Sequence, residues 1–145
     1  MKFLLAQLLT LVILSGCSSS NSSSVPMTKT ISISRGGGVS GVYNGFSITS
    51  EGKVTKWLQL PAEEKKVTDL FTTTSDSALF FFRYLDEAGF RSTEFSTPGN
   101  MTTVIQLDSG NMSHAIKWGN AEVKPPPLFQ SFYELLSNYI QRRSK

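Results

Sequence analysis

The sequence predicts an α+β domain in which two helices pack on an antiparallel sheet of about five to six strands. Several short segments alternate apolar and polar residues with a period of two, which is typical of half-buried strands. Tight-turn residues separate neighbouring segments, as at Ser109-Gly110-Asn111, and favour antiparallel hairpins. Two longer segments instead repeat their apolar residues at helical spacing.

Three strands are predicted in the first half of the domain. Thr28–Ser34 alternates, with Ile31 and Ile33 on one face, and is rich in β-branched residues. Tyr43–Ser50 alternates in the same way, and Val54–Leu60 follows after a short polar turn. Because the connections are short, we expect these strands to form an antiparallel meander.

The first helix is predicted over Asp76–Ala88. Ser75 and Asp76 are the expected N-cap region, and Gly89 is a favourable residue just beyond the C-terminus. After the helix, Phe90–Phe95 is predicted as a short strand. The apolar positions at helical spacing are Ala78, Phe81, Phe82, Leu85 and Ala88.

The second half of the domain contains a hairpin and a closing helix. Met101–Asp108 and Met112–Trp118 alternate on either side of the turn at Gly110. Pro125-Pro126-Pro127 is a stiff spacer that leads into the last helix. The apolar stripe of that helix consists of Leu128, Phe132, Leu135, Leu136, Tyr139 and Ile140.

The N-terminus has the pattern of an export signal. Lys2 precedes the apolar segment Phe3–Leu14, which is shorter than the roughly 20 residues that a membrane-spanning helix needs. Leu14-Ser15-Gly16-Cys17 resembles the lipobox of bacterial lipoproteins, in which an aliphatic residue and two small residues precede a cysteine. The resemblance implies cleavage after Gly16, a diacylglycerol thioether on Cys17 and acylation of its amino group.

This resemblance defines the expected organisation of the chain. Residues 1–16 are the predicted signal peptide, residues 17–27 a flexible serine-rich tether, and residues 28–145 a single domain. Several acyl chains would anchor the protein durably to the bacterial envelope. Because Ser18 rather than aspartate follows the lipidated residue, the resemblance implies the outer membrane in a Gram-negative host, with the domain facing the periplasm.

Composition narrows the possible functions. The formal charge of +3 is too small to favour nucleic acid as a partner. Cys17 is the only cysteine, so neither an intramolecular disulfide nor a cysteine-based metal site is expected. We predict no cofactor. The expected partners are the membrane, through the lipid, and an envelope or secreted protein.

No sequence motif indicates an enzyme. Gly36–Gly41 matches the spacing G-x-G-x-x-G, but a strand-like segment follows where a nucleotide loop needs a helix. A serine nucleophile at Ser40 would need His114, the only histidine, as its base. We therefore predict a non-enzymatic, protein-binding module. An envelope enzyme that uses Ser40 and His114 or scattered carboxylates, and a lipoprotein that binds a small ligand, remain as alternatives.

Four short segments follow the order of a known family: Arg35–Gly41, Leu85–Phe90, Pro98–Thr102 and Pro127-Leu128 with the following helix. On these segments, the domain from Ile31 onward resembles emfourin-type inhibitors of thermolysin-like metalloproteases. The resemblance implies a similar fold and the inhibition of a protease, but it assigns no inhibitory residue. Arg35, Gly36, Gly37 and Gly38 are the candidate binding loop. The chain departs from the family in three respects: Gly38-Val39 replaces an aromatic position, an extra segment lies at 61–74, and a lipid anchor is expected.

The lipobox resemblance gives the first prediction. The variant Cys17→Ala should remain at the precursor mass without acylation, because only the thiol can carry the thioether. Intact-mass measurement of the protein from bacterial membranes checks this, and Ser20→Ala is the control that should be processed like the parent. A parent protein found soluble with an unmodified Cys17 would refute the anchor.

Overall fold

The computed structural model describes residues 27–145. The predicted signal peptide, the lipobox with Cys17, and the tether up to residue 26 lie outside the described residues. The described part has an α+β fold with seven strands in one sheet and two helices. The strands are β1 Lys29–Gly37, β2 Val42–Thr49, β3 Lys53–Gln59, β4 Lys66–Thr72, β5 Ser96–Thr97, β6 Met101–Ser109 and β7 Met112–Trp118, and the helices are α1 Ser75–Glu87 and α2 Pro127–Arg143.

The sheet has the strand order β4-β3-β2-β1-β6-β7-β5. All neighbouring strands are antiparallel except β5 and β7, which are parallel. β1 therefore pairs on both of its sides: Ile31 lies opposite Ile48 of β2 and Leu107 of β6. This register places the apolar residues of the three central strands side by side on one face.

Both helices cover that apolar face. Ile31, Ile33 and Ile105 are buried in one cluster with residues of α1 and α2. The opposite face is more polar, and Ser32 and Ser47 share a hydrogen bond of 2.8 Å there between their hydroxyl oxygens. Trp57 is also buried on this face and donates from its indole nitrogen to the Ser47 hydroxyl at 3.1 Å. The predicted two-layer arrangement, with helices on one side of an antiparallel sheet, is confirmed.

The boundaries of α1 follow from local capping. The Thr74 hydroxyl accepts a hydrogen bond from the Ser77 amide, so Thr74 is the N-cap, one residue before the predicted Ser75 and Asp76. Gly89 follows the helix with a φ of 68°, a left-handed conformation that glycine adopts without a steric cost. Among the described residues, neither helix is long and apolar enough to cross a membrane.

The predicted count of five to six strands is wrong, because β4 has no recognisable sequence pattern. β4 lies within the segment 61–74, which the sequence patterns indicate only as an insertion. Its residues from Lys66 to Asp69 are all exposed, since it is an edge strand that extends beyond the helices. It consequently lacks the alternation of buried and exposed residues by which strands are recognised. An irregularity in its pairing with β3, at Val54 and Thr55, breaks the pattern further.

The prediction of a strand over Phe90–Phe95 is also wrong. Phe90–Ser92 forms a 3₁₀ turn directly after the left-handed Gly89, and strand β5 begins only at Ser96. The reason is packing: Phe90 is fully buried, with its ring edge-on to His114 and to Phe129. Inserting this ring under α2 requires a turn of the chain rather than an extended strand.

Two adjacent leucines of α2 test the assignment of the core. Leu136 is fully buried, whereas Leu135 is 41% exposed. Leu136→Ala should lower the free energy of unfolding by about 2–5 kcal/mol, because it leaves a cavity in the core. Leu135→Ala should change it by no more than about 0.5 kcal/mol. Urea denaturation measures both, and equal effects of the two variants would show that the helix is rotated from the position described.

Candidate functional site

The glycine-rich loop between β1 and β2 is the first part of the candidate site. β1 ends at Gly37 and β2 begins at Val42, so the turn between them is short. Of the four residues predicted as a loop, Arg35, Gly36 and Gly37 instead form the end of β1, because they pair with both β2 and β6, and only Gly38 lies in the turn. Gly36 is buried against β2, where an added Cβ would lie 2.2 Å from the Val42 carbonyl oxygen. The two strands therefore approach each other closely at the base of the loop, because residue 36 has no side chain.

The neighbouring segment before β6 fixes the loop from the other side. The Gly38 amide donates a hydrogen bond to the Asn100 carbonyl oxygen. Gly37 has a φ of 105°, and an added Cβ there would lie 2.8 Å from the same oxygen. The Ser40 hydroxyl donates to the Gly37 carbonyl oxygen at 3.3 Å within the turn. These contacts hold the base of the loop in one conformation.

The tip of the loop is apolar and fully accessible. Val39 makes no contact that reduces its accessibility, with a relative exposure of 107%. Met101 on the adjacent chain segment is 44% exposed, and its sulfur would lie 3.5 Å from a Cβ on Gly38. Val39 at the tip and Met101 beside Gly38 are therefore two separate exposed apolar side chains. A partner protein could bury Val39 with little loss of conformational entropy, because the base of the loop is fixed.

The second part of the candidate site is a cleft between the sheet and α2, and Arg35 is one of the residues that line it. Its exposed side chain projects from β1 on the helix side of the sheet, next to the glycine loop. The cleft has a volume of about 380 Å³ and combines aromatic and polar walls. Its other lining residues are Thr103, Trp118, Pro125, Gln130, Tyr133 and Glu134.

Tyr133 is a half-buried titratable residue of this cleft. Burial raises the pKa of its hydroxyl above the usual value of 10.0, and the positive charge of Arg35 acts in the opposite direction. Its ring lies edge-on to Trp118, with the centroids 6.0 Å apart. At neutral pH the cleft therefore presents a neutral phenol, beside the aromatic ring of Trp118 and the side chains of Arg35 and Glu134.

The structure does not bring Ser40 and His114 together. His114 lies opposite Leu107 of β6, whereas the turn that contains Ser40 follows Gly37, which lies opposite Met101. At about 3.3 Å per residue, the six steps along β6 from Met101 to Leu107 separate the two groups by about 20 Å. His114 instead donates from Nε2 to the Thr93 carbonyl oxygen at 3.0 Å. The serine–histidine hypothesis is therefore wrong.

The carboxylates of the described residues are dispersed. Within residues 27–145, no three histidine, cysteine, aspartate or glutamate side chains lie close enough together to hold a metal ion. Glu63 pairs with Lys66 at 3.1 Å, and Asp69 pairs with Lys53 at 3.0 Å, both at the surface. Such exposed pairs contribute little to stability.

Sequence patterns identify the loop but not the cleft beside it. Gln130, Tyr133 and Glu134 are spaced i, i+3 and i+4, which places them on one side of α2. That spacing is a signal in the sequence, but it does not reveal which strands the side chains meet. Thr103 and Trp118 join them only because β6 lies next to β1 in the sheet and β7 lies next to β6.

Comparison with protein-family models finds no match, and neither does comparison with curated proteins.

Two adjacent glycines test how the loop is held. Gly38→Ala should cost about 1–2 kcal/mol of folding free energy, because its φ of 67° is left-handed but its surroundings are open. Gly37→Ala should cost more, since its Cβ would also collide with the Asn100 carbonyl oxygen. Thermal unfolding of both variants measures the difference. If Gly37→Ala is the milder change, the contact with Asn100 does not hold the loop.

Proposed function

We propose that this chain is a lipid-anchored lipoprotein whose domain binds another protein of the cell envelope or a secreted protein. Acylated Cys17 is the anchor, and the contact surface is the end of β1 from Arg35 together with the glycine-rich turn that follows it, with Val39 at the tip. The observation that carries the proposal is the loop itself. It has a fixed base and an exposed apolar tip, a combination that the folding of this domain does not require.

The direction of β1 supports the proposal that the glycine loop is the contact surface. Its first residue, Lys29, lies beside Ser50, whose hydroxyl accepts a hydrogen bond from the Lys29 amide at 3.1 Å. Its last residue, Gly37, begins the glycine loop at the opposite end of the domain. A strand of 9 residues is about 27 Å long. With the chain attached to a membrane at Cys17, the loop would point away from the end where the tether joins.

The cleft beside the loop supports a peptide-like partner. Val39 offers apolar contact, and Arg35 offers a planar cation that can bind a carboxylate with two hydrogen bonds. Trp118 and Tyr133 add flat aromatic surface, which is frequent where proteins bind each other. An extended segment of a partner that crosses the loop would meet all three kinds of contact.

The sharpest form of the proposal is protease inhibition. It rests on the resemblance to emfourin-type inhibitors, in which the Arg35–Gly41 segment corresponds to the family's arginine–glycine motif. The proposed target class is a thermolysin-like metalloprotease that is secreted or resides in the envelope. A lipid anchor would keep such an inhibitor at the cell surface.

Inhibition assays with the mature protein test this form. We expect inhibition of a thermolysin-like metalloprotease, and we expect Val39→Asp to raise the inhibition constant at least about tenfold, as for a central apolar contact. Val67→Asp is the matched control, because Val67 is 58% exposed on β4, away from the loop. Activity unchanged by the parent protein across a panel of such proteases would refute the inhibitor role.

Crosslinking tests the broader claim of protein binding. A photoreactive residue at position 39 in the membrane-bound protein should give one discrete adduct, and the same residue at position 67 should not. Adding the Arg35→Ala change to the position 39 protein should reduce the yield of that adduct. Equal labelling from positions 39 and 67 would mean that the loop is not a specific contact surface.

A further inference from the structure

The two helices form a second exposed apolar surface, on the side away from the sheet. α1 and α2 run antiparallel. The Tyr139 hydroxyl shares a hydrogen bond with Thr73 at one end, and the Tyr84 hydroxyl donates to the Leu128 carbonyl oxygen at 3.4 Å at the other. We call the surface between them the helix seam. It consists of Phe80, Tyr84, Leu128, Leu135 and Tyr139.

Large apolar side chains lie open along this seam. Phe80 is 47% exposed, Leu128 is 55% exposed and Leu135 is 41% exposed. Phe80 and Leu135 line the same groove, which has a volume of about 370 Å³. The outer side of a helix that packs on a sheet is usually polar. The core does not explain these three residues, because the buried faces of both helices are filled by other side chains.

Charged residues at the two ends of the seam have no partner within the domain. Asp76, in the first turn of α1, lines the same groove as Phe80 and Tyr139. Arg142, in the last turn of α2, lines a neighbouring groove, which Tyr139 also borders. Glu87 lies at the opposite end, beside Leu128. None of these three forms a salt bridge with any residue between 27 and 145.

We propose that a second copy of this chain covers the helix seam, so that the protein forms a two-fold symmetric dimer. The symmetry axis runs parallel to the helices, so that α1 of each copy faces α2 of the other. Phe80 then packs against Leu135 of the second copy, and Asp76 pairs with Arg142 of the second copy. The result is a layer of four helices between two sheets.

Self-complementarity is the reason for choosing a second copy. The seam carries an acid on α1 and a base on α2 at the same end, so a rotation about this axis places opposite charges face to face. The same rotation packs helices in antiparallel pairs. It also leaves Met27 of both copies at the same end of the dimer. This contact is independent of the glycine loop, and only its strengthening by membrane attachment rests on the proposed lipid anchor.

The size of the seam predicts a weak dimer. Helices of 13 and 17 residues are about 20 and 25 Å long, and each is about 10 Å wide. The contact would bury on the order of 500 Å² per copy, at the low end for specific interfaces. Attachment of both copies to one membrane would favour it by raising their effective concentration.

Crosslinking between two tagged copies in intact membranes tests the dimer. One full-length copy carries Phe80→Cys and the other Leu135→Cys, and a short bismaleimide joins cysteines in contact. In the control, the first copy carries Leu79→Cys instead of Phe80→Cys. Leu79 is similarly exposed, at 45%, but its side chain points about 100° away from that of Phe80 around α1. We expect at least about tenfold more product from position 80, since it alone faces the seam. Equal yields would overturn the proposal.

A charge exchange tests whether the two seams face each other as proposed. Asp76→Arg and Arg142→Asp should each lower the crosslinking yield, and the two changes combined in both copies should restore it. Restoration requires that the two residues meet across copies. Loss without restoration, or crosslinks only to other proteins or to lipid, would overturn the proposal.

Copies whose only cysteine is Cys17 give the background of the crosslinking assay. A background as high as the yield from positions 80 and 135 would also overturn the dimer.

Discussion

Ile31 and Ile33 project from β1 into the core, and the burial of these two side chains under the helices is the constraint on which the other elements depend. β1 is hydrogen-bonded on both sides, to β2 and to β6, so it is fully enclosed in the sheet. Both isoleucines are almost completely buried. A shift of β1 by one residue would turn them to the polar face, so their burial fixes the register of its neighbours.

Aromatic rings join the helices to this sheet. Phe81 contacts Phe132 and Tyr139 edge-on, and this cluster holds α1 against α2. Phe90 performs the same task at the other end, between Phe129 and the imidazole of His114. The only histidine of the chain therefore contributes to packing and to the hydrogen bond with Thr93. For this reason a pairing with Ser40 that is conceivable from the sequence has no counterpart in space.

The glycine loop and the helix seam lie on different parts of the domain and expose apolar side chains for different reasons. Val39 stands alone at the tip of a loop whose base is held by Asn100, which suits a contact with a separate protein. Phe80 and Leu135 lie together along two helices, with unpaired charges of opposite sign nearby, which suits contact with an identical surface. A partner on the loop and a second copy on the seam would both fit on one domain.

The sequence by itself determined the α+β class, both helices, the two hairpin strands around Gly110 and the left-handed position of Gly89. It did so because these features depend on local periodicity and backbone conformation. It also indicated the glycine-rich turn before β2, but it wrongly included Arg35, Gly36 and Gly37, which extend β1.

Only the tertiary structure decided the rest. β4 is recognised only by its pairing with β3, because an exposed edge strand does not need alternating apolar residues. Arg35 lines one cleft with Trp118 and Tyr133 because β6 joins β1 to β7 in the sheet and α2 covers these strands. Phe80 lies beside Leu135 because α1 and α2 pack antiparallel. Contacts between residues distant in the chain follow from packing, which no local pattern encodes.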